Sequence, residues 1–191
     1  MSTECGLCTN EAEQGGPWLG LGWVCQSCRS GEVDPLIERW GLEAETAQSA
    51  EDRRVWLVHV RHPTPVGASA RLALEQLGHK ARKLFGRKDP EVGDEDFDDR
   101  IWVEADQGAL DLLQDSTVRA AVVSLLQVPS AALVELGADL VTAHLRASRD
   151  FPDRLVKQML DAPLELSRHR AVVLAARIER LGRPGQDGAY R

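Results

Sequence analysis

Cysteine is missing from the chain after residue 28; all four thiols of this 191-residue protein, Cys5, Cys8, Cys25 and Cys28, fall before that point. Lysine is scarce as well, with 4 lysines against 19 arginines among the 23 basic residues. That imbalance points to GC-rich bacterial coding and says nothing of activity. No stretch approaches the ~20 apolar residues that a membrane helix needs. The first residues lack the basic start and apolar run of a secretion signal and carry Glu4, Glu11 and Glu13 instead, so a cytoplasmic protein is expected. Gly-x-Ser-x-Gly elbows, Walker loops and a Gly-x-Gly-x-x-Gly following a strand are all missing, and no cysteine outside the first segment is available as a nucleophile. These absences lead to the expectation of a non-enzymatic protein.

The composition that remains is that of a globular chain. Apolar residues make up 43% and charged residues 28%, enough for a real core and too apolar for wholesale disorder. A net charge of −7 argues against a general affinity for nucleic acid or an anionic membrane.

The cysteines follow the spacing C-x2-C-x16-C-x2-C. Two residues between thiols allow a tight turn to aim both sulfurs at one ion, and two such turns supply the four thiolates that suit tetrahedral zinc. Gly15, Gly16 and Pro17 read as a turn cluster, and residues 18–24 as a strand that delivers Cys25. Two other uses of the thiols stay open, a pair of disulfides and a redox dithiol. The paired motif resembles a zinc ribbon over about residues 3 to 30. The resemblance implies two zinc knuckles joined by a short antiparallel hairpin, with Cys5, Cys8, Cys25 and Cys28 as ligands of a structural Zn(2+). Trp18 and Trp23 either cover the metal hairpin or form an aromatic docking surface for a protein partner.

Beyond the ribbon, Asp34 is expected as the N-cap of a short helix with Pro35 in its first turn, ended by Gly41. Residues 42–54 are polar and read as a surface helix or linker. Residues 55–60 (VWLVHV) form a buried strand. Ala70, Leu74, Leu77, Ala81 and Leu84 recur at helical spacing, with Arg71, Lys80, Arg82 and Lys83 on the other face, so 68–85 is expected as an amphipathic helix. A strand at 100–105 precedes two helical pieces, 108–114 and 116–127, re-capped by Asp115 or Ser116, with Val118, Val122 and Leu125 buried. Residues 131–145 read as a hairpin around Gly137-Ala138-Asp139, with one long helix as the competing reading because Ala and Leu are plentiful. Pro163 is expected to interrupt the last helical region, with a final helix from Ser167. The predicted organisation is a ribbon at 1–32, a short helix and linker at 33–54, an α+β domain at 55–181 with a small mixed or antiparallel sheet, and a flexible tail at 182–191. The string GDEDFDDRIWVEAD and the leucine-rich helix after it resemble uncharacterised bacterial domains with a Gly-Asp-x-x-Phe-Asp element before a strand. That resemblance covers about residues 90 to 145 and implies no function.

Asp94, Glu95, Asp96, Asp98 and Asp99 crowd one loop. Its D-x-D-x-D opening invites a calcium site, but Asp99 stands where an EF-hand has its turn glycine and Ala105 where it has its closing glutamate. The expectation is a solvated loop anchored to the core by Phe97. His59 and His62 lack the further ligands of a second metal site and are read as surface or strand-end residues. The function expected from these observations is a protein-protein interaction or regulatory module with a structural zinc. The alternative is a nucleic-acid-binding or transcription-associated protein using residues 71–88 and Arg168, Arg170, Arg177 and Arg180.

Overall fold

The computed structural model describes residues 3–5, 11–18, 22–26, 33–75, 90–150 and 152–182. Two small antiparallel ladders come first: β1 (Thr3–Glu4) with β2 (Glu11–Ala12), and β3 (Gly15–Trp18) with β4 (Gly22–Cys25). The Gly15-Gly16-Pro17 cluster is therefore part of a strand rather than a turn. Its members pair with Cys25, Val24 and Trp23.

Helix α1 (Asp34–Trp40) carries Pro35 in its first turn and buries Leu36; its N-cap is Val33 rather than the expected Asp34, which is its first residue and makes no side-chain cap. Gly41 ends it in the left-handed conformation (φ 63°) that glycine adopts without a Cβ clash, and its N–H closes onto the carbonyls of Glu38 and Ile37. Residues 43–48, expected as linker or surface helix, instead form β5 (Glu43–Gln48), paired along its length with β6 (Val55–Arg61). An edge strand with most of its side chains in solvent carries no apolar alternation, so backbone pairing alone defines it.

The second correction falls on 68–85. Residues 70–74 form β7 (Ala70–Leu74), with Ala70 and Leu72 buried on one side of the strand. The remainder of that expected helix, 76–85, lies outside the described residues. The two-residue period of a strand and the four-residue period of a helix coincide at Ala70 and Leu74, and pairing with two neighbouring strands decides between them.

Residues 95–98, expected within a loop, instead form a short helix, α2 (Glu95–Asp98). The elements that follow match expectation closely: β8 (Ile101–Ala105), α3 (Gln107–Leu113), α4 (Ser116–Leu126) and the hairpin β9 (Ala131–Leu136) and β10 (Leu140–Arg146). Asp115 caps α4 by accepting from the amides of Thr117 and Val118, and Val118, Val122 and Leu125 are buried as expected. Near the start of α3, a Cβ on Gly108 would sit 2.5 Å from the carbonyl oxygen of Gly67, so only glycine lets that turn nest on the 62–69 segment.

The last element is a single helix, α5 (Asp153–Gly182), of 30 residues with Pro163 inside it. The expected break at Pro163 does not occur. Proline removes one amide donor. Yet Val156, Leu160 and Leu164 before or beside it, and Ala171, Leu174 and Ile178 after it, bury one continuous face, and that packing holds the two halves in line.

The six strands form one antiparallel sheet in the order β5-β6-β10-β9-β7-β8, and the fold is α+β. A cross-strand row of Val58, Ala143, Val134, Leu72 and Val103 runs under the helices and is almost wholly buried. From Ala171 to Glu179 every residue of α5 is buried, because the sheet lies beneath it and α1 and α4 pack against it. Among the described residues no helix is long and apolar enough to cross a membrane.

Candidate functional site

The thiols come first. Cys5 follows β1 and Cys25 ends β4, and the two strands are in contact. Cys5 is 0% and Cys25 4% exposed, and both belong to the cluster of buried side chains that includes Val33, Leu36 and Leu42. The Cys25 amide donates to Cys5 Sγ over 3.3 Å. An amide aimed at sulfur is the kind of second-layer donor that stabilises a metal-bound thiolate. Residues 20 apart in sequence thus place one member of each C-x2-C pair side by side. The donor chemistry and the burial fit a thiolate-bound zinc. Cys8 and Cys28 lie outside the described residues. Among the described residues no group of three or more His, Cys, Asp or Glu side chains is placed to hold a metal ion. The backbones of Trp18 and Trp23 sit in β3 and β4, each directly paired across the ladder, with Trp18 opposite Gly22 and Trp23 opposite Pro17. Their side chains lie outside what the structure describes.

The acidic segment is not a loop of free carboxylates. Asp98 accepts from the amides of Val92, Gly93 and Asp94 at 3.0, 3.1 and 3.2 Å. Asp94 caps α2 through the Phe97 amide and pairs with Arg119 Nε at 3.0 Å. Phe97 is buried, as expected for an anchor. Two of the five carboxylates therefore spend their lone pairs on the fold itself.

The sheet face away from the helices carries a polar row: Glu45, His59, Thr142, Glu135, Arg71 and Glu104 stand opposite one another across the strands. His59 Nδ1 meets Thr142 Oγ1 at 3.0 Å, while Glu135 meets His144 Nε2 at 2.9 Å and Arg71 Nε at 3.0 Å. The hydroxyl and the carboxylate are served by different histidines, so the row does not assemble a relay of nucleophile, base and orienting acid. Burial pushes the Glu135 carboxyl up, but the hydrogen bond and charge of His144, with those of Arg71, outweigh it and hold the group below its ordinary value.

The Asp115 carboxyl is shifted the same way, burial being outweighed by the Thr117 hydroxyl and the Val118 and Thr117 amides. The amide of Ala109, helped by those of Ser69 and Gly108, lowers Asp106. Depressed carboxyls contribute stability above their unfolded values, near ~4, and lose it as pH falls through the folded ones. Urea midpoints are therefore expected to stay level from pH 7 to pH 5 and to fall steeply below pH 4. In Glu135→Gln the acid-side slope is shallower; an unchanged slope means that the Glu135 cluster contributes nothing.

A cluster that sequence reading passed over lies under α5. His62 and Glu179 are fully buried, with His62 Nδ1 3.6 Å from Glu179 Oε2. Thr64 donates its amide to Glu179 Oε2 at 2.9 Å and its hydroxyl to Oε1 at 2.6 Å, and His62 Nδ1 lies 2.8 Å from the Thr64 carbonyl. The expected surface or strand-end role of His62 does not hold as to surface: the side chain is buried, and that burial has no local signal. The one available hint was a glutamate, Glu179, within the apolar register of the last helix.

Two of the four helix arginines proposed for phosphate contact are also committed. Arg177 is buried and donates to the Thr117 carbonyl, and Arg170 donates to the Ser124 carbonyl. Burial lowers the Arg170 pKa. Arg71 is paired with Glu135, and the rest of the basic segment, 76–88, lies outside the described residues. Compared with known proteins, the chain matches no family model, no curated sequence and no solved structure.

Proposed function

We propose that the chain is a non-enzymatic protein-binding or regulatory module in which Cys5, Cys8, Cys25 and Cys28 hold a structural zinc and Trp18 and Trp23 dock a protein partner. The observation that carries this reading is the meeting of Cys5 and Cys25, both buried, with an amide of one aimed at the sulfur of the other. Four thiolates fill a tetrahedral ion and leave no open position for substrate, so the metal organises the hairpins and does no chemistry. Charge selects the partner class. Between residues 1 and 30 the acids are Glu4, Glu11 and Glu13 and the one base is Arg29, a poor surface for phosphates. The buried or paired state of Arg170, Arg177 and Arg71 weakens the nucleic-acid alternative further.

Elemental analysis of freshly purified protein is expected to give one zinc per chain, with all thiols reduced and unreactive until the metal is removed. Trp18→Ala and Trp23→Ala variants with wild-type zinc content are expected to lose a partner that the wild type retains on affinity capture. Metal-free protein with bridged thiols overturns the zinc assignment. Salt-sensitive binding to mixed DNA and RNA, unaffected by either tryptophan variant, overturns the choice of partner.

A further inference from the structure

We infer that two copies of this chain associate through the first half of α5, helix against helix and antiparallel. Leu155, Met159 and Leu166 are 37%, 41% and 37% exposed, three of the five large apolar side chains left open among the described residues. With exposed Ala162 they are spaced four, three and four residues apart. At the helical repeat they fall within an arc of about 60°, in a stripe about 18 Å long. The face α5 buries in its own body, Val156, Leu160 and Leu164, points about 120° away from this stripe. The stripe is thus surplus to the fold of one chain, and its spacing is that of a helix–helix seam.

The stripe is complementary to itself in one orientation. A two-fold axis between residues 160 and 161 sets Leu155 against Leu166 and the large Met159 against the small Ala162 of the second copy. Pro163 lies at one margin of the stripe, while Arg154 and Glu165 flank the other margin, both exposed. Neither has an ion-pair partner within its own chain among the described residues. The same axis brings Arg154 beside the second copy's Glu165 and repeats the pair by symmetry. A parallel arrangement would turn the margin of Arg154 and Glu165 towards the second copy's opposite margin, the one with Pro163, leaving both charges without each other, and would oppose Met159 to Met159. Charge and size therefore both select the antiparallel pair. Four side chains over three turns cover much less than the ~1,600 Å² of a standard stable interface, so the association is weak and concentration-dependent.

Sedimentation equilibrium of the zinc-loaded full chain tests this. From about 10 μM to 500 μM, spanning the affinity range of small interfaces, the average mass is expected to climb from 21.0 kDa towards twice that value. Met159→Glu, at an exposed position, is expected to keep the wild-type circular dichroism and melting curve and to hold the single-chain mass throughout. Arg154→Glu weakens association, and adding Glu165→Arg restores it. A wild type that keeps the single-chain mass at every concentration overturns the proposal, as does a Met159→Glu variant that associates equally well. Association indifferent to the charge exchange overturns the antiparallel register.

Discussion

Replacing Glu179 by alanine is expected to lower stability by about 3–5 kcal/mol, the cost of stranding two buried donors beside a new cavity. The reason lies in the segment it holds. Residues 62–66 read His-Pro-Thr-Pro-Val, and the two prolines offer no amide. The remaining donors are fully used: His62 N–H to the Asp139 carbonyl at 2.9 Å, Val66 N–H to the Ala138 carbonyl at 2.7 Å, and Thr64 N–H to Glu179. The first two tie the segment to the β9–β10 turn, and the third ties it to α5. Alanine at 179 strands both Thr64 donors beside a new cavity, at the end of the helical stretch 171–179 that is buried throughout. Glu179→Gln keeps the volume and one acceptor, so a loss of about 1–2 kcal/mol is expected. Urea unfolding at pH 7, followed by tryptophan fluorescence, measures both. A loss below ~1 kcal/mol in the alanine variant shows that the stranded donors find other partners.

Cys25→Ser is expected to abolish stoichiometric zinc binding while leaving the six-stranded sheet folded. Structural zinc sites hold their ion with an apparent ~10–16 kcal/mol, and that energy is the folding energy of a module too small to build its own core. Serine supplies a poor, protonated ligand in place of a thiolate. It keeps the amide that points at Cys5 but would remove one of the four sulfurs proposed to hold the ion. Limited proteolysis should then cut within residues 1–32 of the variant and spare 33–182, and a strong chelator should reproduce that pattern in the wild type. Unchanged zinc content in Cys25→Ser, or equal protease resistance with and without metal, excludes a role for this thiol in holding the hairpins.

How legible each part was depended on how local its cause is. The cap at Asp115, the stop at Gly41 and the β9–β10 hairpin are written in residues that act on their own neighbours, and sequence reading placed them correctly. The strand at 43–48 and the strand at 70–74 were missed because hydrogen bonds to distant strands decide them. The first carries no apolar alternation, and the second has apolar residues that also match a helical period. Pro163 misled for the opposite reason, since a local breaker was overruled by the burial of the residues on both sides of it. Of the site, the spacing of the four cysteines was visible at once, while the neighbourhood of Cys5 and Cys25 required the contact between β1 and β4.

The α+β class, the Asp115 cap, the stop at Gly41, the turn at 137–139, the anchoring of Phe97 and the paired thiols are all written in the sequence, because each follows from side-chain chemistry acting over a few residues. Tertiary structure alone decided that Asp94 and Asp98 bind backbone amides rather than face water, that Arg170 and Arg177 turn inward, and that His62 meets Glu179 across 117 positions of chain. Those outcomes depend on which surfaces are pressed together when the sheet and α5 close. That contact strips water from polar groups and obliges each to find a partner wherever the fold has placed one.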